Sequence, residues 1–233
     1  MSGVGGAGGL AVIVGASRGL GLGLAREYAA RGWRVIGTVR GQARTGLHDL
    51  VDANGRVRVE LVDINLPEQV AALRRRMDGE RIDLLFVNAG VANGPGETVT
   101  GSSAAEFTRL LVTNAWSPIR LIEAFADLVP VGGTIAAMSS GLGSVTNNTR
   151  AQWEIYRASK AALNTMLRSF SVRLGEGRTV LAMVPGWVRT DMGGPGAGLD
   201  VATSVRGMAD AIAARGARAG IGYVNYLGEE VAW

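Results

Sequence analysis

The chain has no cysteine, one histidine and one lysine in 233 residues. Without cysteine there is no disulfide framework, no thiolate nucleophile and no sulfur-ligated metal. One histidine, His48, excludes a metal site built from several imidazoles, and no metal is expected. A serine-hydrolase triad would also need that residue; His48 follows the second apolar run in a polar stretch and reads as a surface residue. Long apolar runs are missing too. None approaches the roughly 20 residues needed to span a bilayer, and the N-terminus lacks the basic segment of a secretion signal, so a cytoplasmic location away from membranes is expected. The net charge is +4, but the arginines are scattered through helices and loops rather than gathered in a block. That pattern fits a solvated surface and not a nucleic-acid footprint.

What is abundant is glycine, with two clusters close to the start. Gly3 to Gly8 fits G-x-G-x-x-G letter for letter, yet only Met1 and Ser2 precede it. A phosphate-binding turn needs a strand to deliver it and a helix N-terminus to receive the phosphate, so this cluster reads as a flexible leader over residues 1–9. The second cluster, GASRGLG from Gly15 to Gly21, follows the apolar run LAVIV. It precedes a segment in which Leu20, Leu24 and Tyr28 share one helical face, closed by Gly32. Strand, glycine turn and helix make the second cluster the candidate.

Further apolar runs, WRVIGTV, RVRVELV, DLLFVNA, GTIAAMS, TVLAMVP and IGYVNYL, alternate with helical patterns at 20–31, 67–77, 103–128, 152–174 and 200–215. This alternation predicts an α/β fold of one domain over residues 10–233. Its parallel sheet is doubly wound with helices on both faces, and ligands bind at the carboxyl ends of the strands. GGPGAG after Met192 reads as a loop or a mobile lid.

Another absence bears on the ligand. Dinucleotide-binding units place an acidic residue about 20 positions beyond the glycines, where it meets the adenosine ribose. Here no Asp or Glu occurs from Trp33 to Leu47, and Arg40 stands near the expected position. With Arg18 inside the glycine turn, two guanidinium groups suit a 2′-phosphate, which favours NADPH/NADP+ over NADH. The candidate proton carrier lies in YRASK, a pattern that carries little weight by itself. Tyr156 and Lys160 are four residues apart, on one helical face, and an ammonium beside a phenol would bring its pKa down toward neutrality.

With these motifs in this order, the chain resembles the short-chain dehydrogenase/reductase family over essentially its whole length, which implies a Rossmann fold. Gly15, Ser17, Arg18, Gly19, Leu20 and Gly21 match its cofactor turn. Asp63 and Ile64 match the segment that meets the adenine, and Asn88, Ala89 and Gly90 match its Asn-Ala-Gly. Asn114 falls at the family's helix asparagine and Ser140 at its catalytic serine. Pro185, Gly186, Val188 and Thr190 match the segment that meets the nicotinamide. NNTRAQWEIYRASK and PGWVRTDMGGPGA look like the branch that contains the C-factor and Sniffer-type carbonyl reductases.

The resemblance implies reversible reduction of a ketone or aldehyde to an alcohol, with Tyr156 as proton donor and Lys160 on the nicotinamide ribose. Ser140 would bind the substrate oxygen, and Asn114 would support a water chain. Leu142, Trp153, Trp187 and Met192 flank these motifs and are expected to line an apolar substrate pocket. The apolar faces of the helices at 103–128 and 152–174 point to a homodimer or homotetramer. An NADP-binding regulatory protein without turnover is the alternative. The sequence yields one direct expectation. NADPH binds on the order of tenfold or more tightly than NADH if Arg40 makes a charge-assisted contact of about 1.5–3 kcal/mol. Arg40→Asp shrinks or reverses that preference; equal Michaelis constants for the two cofactors in the natural protein would overturn it.

Overall fold

The computed structural model describes residues 8–94, 96–216 and 218–233. Of the expected leader, only Gly8 and Gly9 fall within that range; the rest lies outside the described residues. The first elements are β1 (Leu10–Val14), α1 (Gly19–Ala30), β2 (Arg34–Val39), α2 (Gly46–Ala53), β3 (Val57–Leu61), α3 (Pro67–Arg76) and β4 (Leu84–Val87). They are followed by α4 (Ala104–Leu111), α5 (Ser117–Phe125), β5 (Thr134–Met138), α6 (Glu154–Leu174), β6 (Thr179–Val184), α7 (Val201–Arg215) and β7 (Gly220–Asn225). The strands form one sheet in the order β3-β2-β1-β4-β5-β6-β7, every neighbouring pair parallel.

Strand periodicity divides the core in two. In β1, Leu10, Val12 and Val14 join one apolar cluster with residues of α3, α5 and α6, while Ala11 and Ile13 join the other with α1, α2 and α7. Burial on both faces explains why the strands read as continuous apolar runs rather than alternating ones. The order reverses between β1 and β4, so the turns after those strands leave toward opposite faces and a crevice opens above them. Among the described residues, no helix is long and apolar enough to cross a membrane.

Two local differences from the sequence reading have physical causes. The span 103–128 is helical as expected from Ala104 to Leu128, but not regular. Between α4 and α5 the chain runs as a π turn over Val112–Trp116, and a 3-10 turn over Ala126–Leu128 ends the segment. Pro118 lacks the N–H of a regular helix interior, and such π insertions re-aim side chains; here the re-aimed residue is Asn114. The second difference is α2, a helix in a stretch whose sequence reads only as polar. Leu47 is its one fully buried anchor. His48, half-buried rather than merely superficial, accepts the Thr45 N–H through Nδ1 at 3.1 Å and completes a capping box.

The core contains one unsatisfied polar atom with a clear consequence. Tyr28 of α1 packs edge-on against Trp33, centroids 5.1 Å apart, while its buried hydroxyl has no hydrogen-bond partner. A desolvated hydroxyl without a partner lowers stability. Tyr28→Phe is expected to raise the urea midpoint at constant m, by up to about 1 kcal/mol in unfolding free energy. A loss of similar size would mean that the hydroxyl does find a partner.

Candidate active site

The turn after β1 sets the geometry of the crevice. The Gly15 N–H donates to Thr38 Oγ1 at 3.0 Å, the Ala16 N–H donates to the Thr38 carbonyl at 2.7 Å, and Asn88 Nδ2 donates to the Gly15 carbonyl at 2.7 Å. Gly15 has φ +85°, and a Cβ there would lie 2.9 Å from the Ala89 backbone. At Gly21 a Cβ would come within 2.0 Å of the Gly15 carbonyl oxygen. Both positions therefore exclude side chains. The turn lies flat against the end of β4 and presents the free N–H groups and positive end of α1 to the crevice.

Above it is a cavity of about 970 Å³, near the upper end of the range for small-molecule sites. Ser17, Arg18, Gly19 and Leu20 line it on the glycine-turn side, and Arg40, Asp63 and Ile64 line it beyond β2 and β3. Asn88, Ala89 and Gly90 line it at the end of β4, and Pro185, Gly186, Val188 and Thr190 after β6. Ser140, Tyr156 and Lys160 share it with Leu142, Trp153, Trp187 and Met192. Two expected residues are not on its surface. Gly21 lies beneath the turn and Asn114 is fully buried.

Asn114 is occupied by structural contacts. Its amide donates to the Val91 carbonyl at 2.8 Å and to Ser159 Oγ at 2.9 Å, and its oxygen accepts the Val91 N–H at 2.8 Å. It therefore ties the chain after β4 to α6, next to the expected Tyr156. The arginines also divide. Arg18 is ion-paired with Asp191 at the exposed edge of the cavity. Arg40 is exposed and meets no carboxylate among the described residues. Thr38 and Asp191 went unnoticed in the sequence, since a strand threonine and an acid beside a glycine loop carry no pattern of their own.

The electrostatics differ from the expected lowering of the phenol by the ammonium. Lys160 Nζ donates to the Met138 carbonyl at 2.9 Å and lies 5.7 Å from the Tyr156 ring centroid. Burial pushes the Tyr156 pKa up to about 12, with the Ser140 hydroxyl pulling it back. Burial also pulls Lys160 from its usual 10.5 down to about 8. The phenol is thus fully protonated at neutral pH, the form that can give a proton away. Gly90 leaves room for this cluster, since a Cβ there would sit 3.3 Å from Asn114 Oδ1 and 3.4 Å from Lys160 Nζ. Trp153, just before α6, is held at φ +60° and meets Tyr156 edge-on with centroids 5.9 Å apart. A bulky residue in the left-handed region is strained, and such strain gathers at functional sites. Trp187 fastens the following loop by donating from Nε1 to the Gly193 carbonyl at 2.9 Å. The GGPGAG segment lies within a loop closed by a bridge between Val188 and Leu199. Among the described residues, no group of three or more His, Cys, Asp or Glu side chains could hold a metal.

A family model described as enoyl-(acyl carrier protein) reductase matches residues 15–205. A protein of Burkholderia multivorans assigned as a short-chain dehydrogenase/reductase, solved with NADP bound, is 47% identical with a TM-score of 0.94, covering 97% of this chain and 99% of its own. The carbonyl reductase Sniffer of Drosophila melanogaster is 30% identical with a TM-score of 0.82, covering 97% and 99%. C-signal of Myxococcus xanthus is 37% identical over 155 residues, 65% of this chain and 93% of its own length.

The buried Lys160 charge leads to a test of stability. With its pKa lowered to about 8, the folded state binds fewer protons than the unfolded chain between that value and the usual 10.5. Stability therefore rises with pH across this window, and the cost of the buried charge is largest below it. Lys160→Met is expected to be more stable than the natural protein by about 1–3 kcal/mol near pH 7. The gap should narrow toward zero as the pH approaches about 10.5, as followed by urea unfolding. A gap independent of pH would remove the buried ammonium as its cause.

Proposed function

This chain belongs to the short-chain dehydrogenase/reductase family, and on that premise we propose that it is an NADPH-dependent carbonyl reductase acting on a ketone or aldehyde. The single observation that carries this reading is the shared cavity in which Ser140, Tyr156 and Lys160 meet the glycine turn and Arg40. The turn fits a dinucleotide. Gly15 and Gly21 leave no space for side chains between turn and sheet, which brings backbone N–H groups to where the pyrophosphate would lie. Arg40 would meet the 2′-phosphate, Asp63 and Ile64 the adenosine, and Pro185 to Thr190 the nicotinamide end. The NADP-bound Burkholderia neighbour supports that cofactor.

When bound, the nicotinamide supplies a hydride for the carbonyl carbon; the chain's own residues handle the oxygen. Ser140 donates a hydrogen bond to it. Tyr156 gives its proton as negative charge develops, and a preorganised donor of this kind lowers the barrier by about 3 kcal/mol. The Lys160 ammonium, 5.7 Å from the Tyr156 ring centroid, would stabilise the developing phenolate and would hold the ribose hydroxyls. Asn114 acts one step back, holding α6 and the loop after β4 in register. Leu142, Trp153, Trp187 and Met192 shape the apolar side of the substrate site. Phe107, Trp116, Met166 and Val172 are exposed along the α4–α6 region, which supports assembly as a homodimer or homotetramer.

Similarity to C-signal supports a second reading, an NADP-binding signalling protein without turnover. Such a protein would not need Ser140, Tyr156 and Lys160 gathered at one cavity, and the enzyme reading is preferred. Loss of NADPH absorbance with a panel of ketones and aldehydes separates the two. Tyr156→Phe is expected to reduce kcat by on the order of 100-fold or more, with NADPH affinity retained. Unchanged turnover in that variant would place the acid elsewhere.

A further inference from the structure

Ser140 lies two residues past β5, on a turn whose position the sheet alone does not determine. Its carbonyl accepts two hydrogen bonds, from the Gly143 N–H at 2.8 Å and from the Tyr223 hydroxyl. Its Oγ accepts the Leu142 N–H at 3.2 Å. Tyr223 belongs to β7 and is fully buried. Its ring packs on Trp233 with centroids 5.2 Å apart, and its carbonyl accepts the Val231 N–H at 2.7 Å. The far end of the turn is gripped by the same segment, because the Trp233 main-chain oxygen accepts the Thr146 N–H at 3.1 Å and Oγ1 at 2.6 Å. Beneath the turn, Ser139 Oγ donates to Asn164 Oδ1 at 2.6 Å and Asn164 Nδ2 donates to the Gly143 carbonyl at 3.3 Å.

We infer that Tyr223 is a positioning residue for Ser140, with Trp233 bracing both Tyr223 and the far end of the 140–146 turn. The inference rests on the carbonyl reductase reading, in which Ser140 binds the substrate oxygen. The direction of the Ser140 hydroxyl follows the orientation of its own backbone. With both acceptor sites of its carbonyl engaged, that backbone cannot turn without breaking a hydrogen bond. Removing the Tyr223 hydroxyl leaves one restraint of the two and lets Ser140 drift from Tyr156. Displacements of about 1 Å in such positioning groups reduce rates by on the order of 100-fold, and partial loosening by less. Leu142 is carried by the same turn, so the apolar wall of the substrate site moves with it.

Tyr223→Phe keeps the ring against Trp233 and removes only the hydroxyl. It is expected to lower kcat on the order of tenfold and to leave NADPH affinity within about twofold. Amide exchange at Leu142 and Gly143 should become on the order of tenfold faster. In a Ser140→Ala background the same change should cost nothing further, because a residue acting only through Ser140 has no effect once that hydroxyl is gone. Wild-type kcat together with wild-type amide protection in Tyr223→Phe would overturn the inference, as would losses that multiply in the double variant. If the natural protein reduces no carbonyl compound, the reductase reading fails by itself, and the exchange rates still decide whether Tyr223 holds the turn. If the buried substitution does not fold, Thr146→Val tests the exposed end of the brace: faster exchange across 141–145 supports it, and unchanged exchange overturns it.

Discussion

The contact on which the rest of the site depends is the one between the Gly15 turn and the Ala89 backbone at the end of β4. A Cβ on Gly15 would lie 2.9 Å from that backbone, so the two main chains meet with nothing between them. Asn88 then closes the junction by donating to the Gly15 carbonyl at 2.7 Å. Since β1 and β4 flank the point where strand order reverses, this junction locates the floor of the crevice. It also sets where α1 begins. Every group that faces a ligand is placed relative to it.

From the other side, α6 brings Tyr156 and Lys160, and its own placement depends on buried polar contacts. Asn114, exposed to the inside by a π turn, reaches Val91 and Ser159. Lys160 is anchored on the Met138 carbonyl at the end of β5. These contacts tie α6 to β4 and β5 through atoms that are costly to leave unpaired in a dry interior, which makes the arrangement rigid. The same dryness holds the phenol protonated and weakens the ammonium. The cleft thus keeps a protonated phenol and a buried amine at the expense of stability, as functional sites commonly do.

The wall of the cavity around Ser140 and Trp187 is built differently. Here the chain uses long-range clasps in place of strand ladders. Tyr223 meets the Ser140 carbonyl, Trp233 meets Thr146, and Trp187 holds Gly193. Trp153 accepts a strained backbone beside Tyr156. Loops placed by clasps change shape more readily than sheet ends, and this is how a common fold comes to carry different sites.

The sequence by itself determined the alternation of strands and helices, the choice of the second glycine cluster over the first, and the pairing of Tyr156 with Lys160 on one helical face. It also determined the absence of an acid between Trp33 and Leu47. Each is a local property, written in period, spacing or composition within a few residues. The tertiary structure decided the rest. It made a helix of 46–53 through a single buried leucine and a histidine in a capping role usually taken by Glu or Gln. It directed Arg18 to Asp191, 173 positions away, and gave the Lys160 ammonium a partner in the Met138 carbonyl. It also brought Tyr223 to Ser140 across 83 positions. Such partners depend on which loops emerge together at the carboxyl edge of the sheet, and on which polar atoms remain unpaired there once the core has closed. Local periodicity carries no record of either.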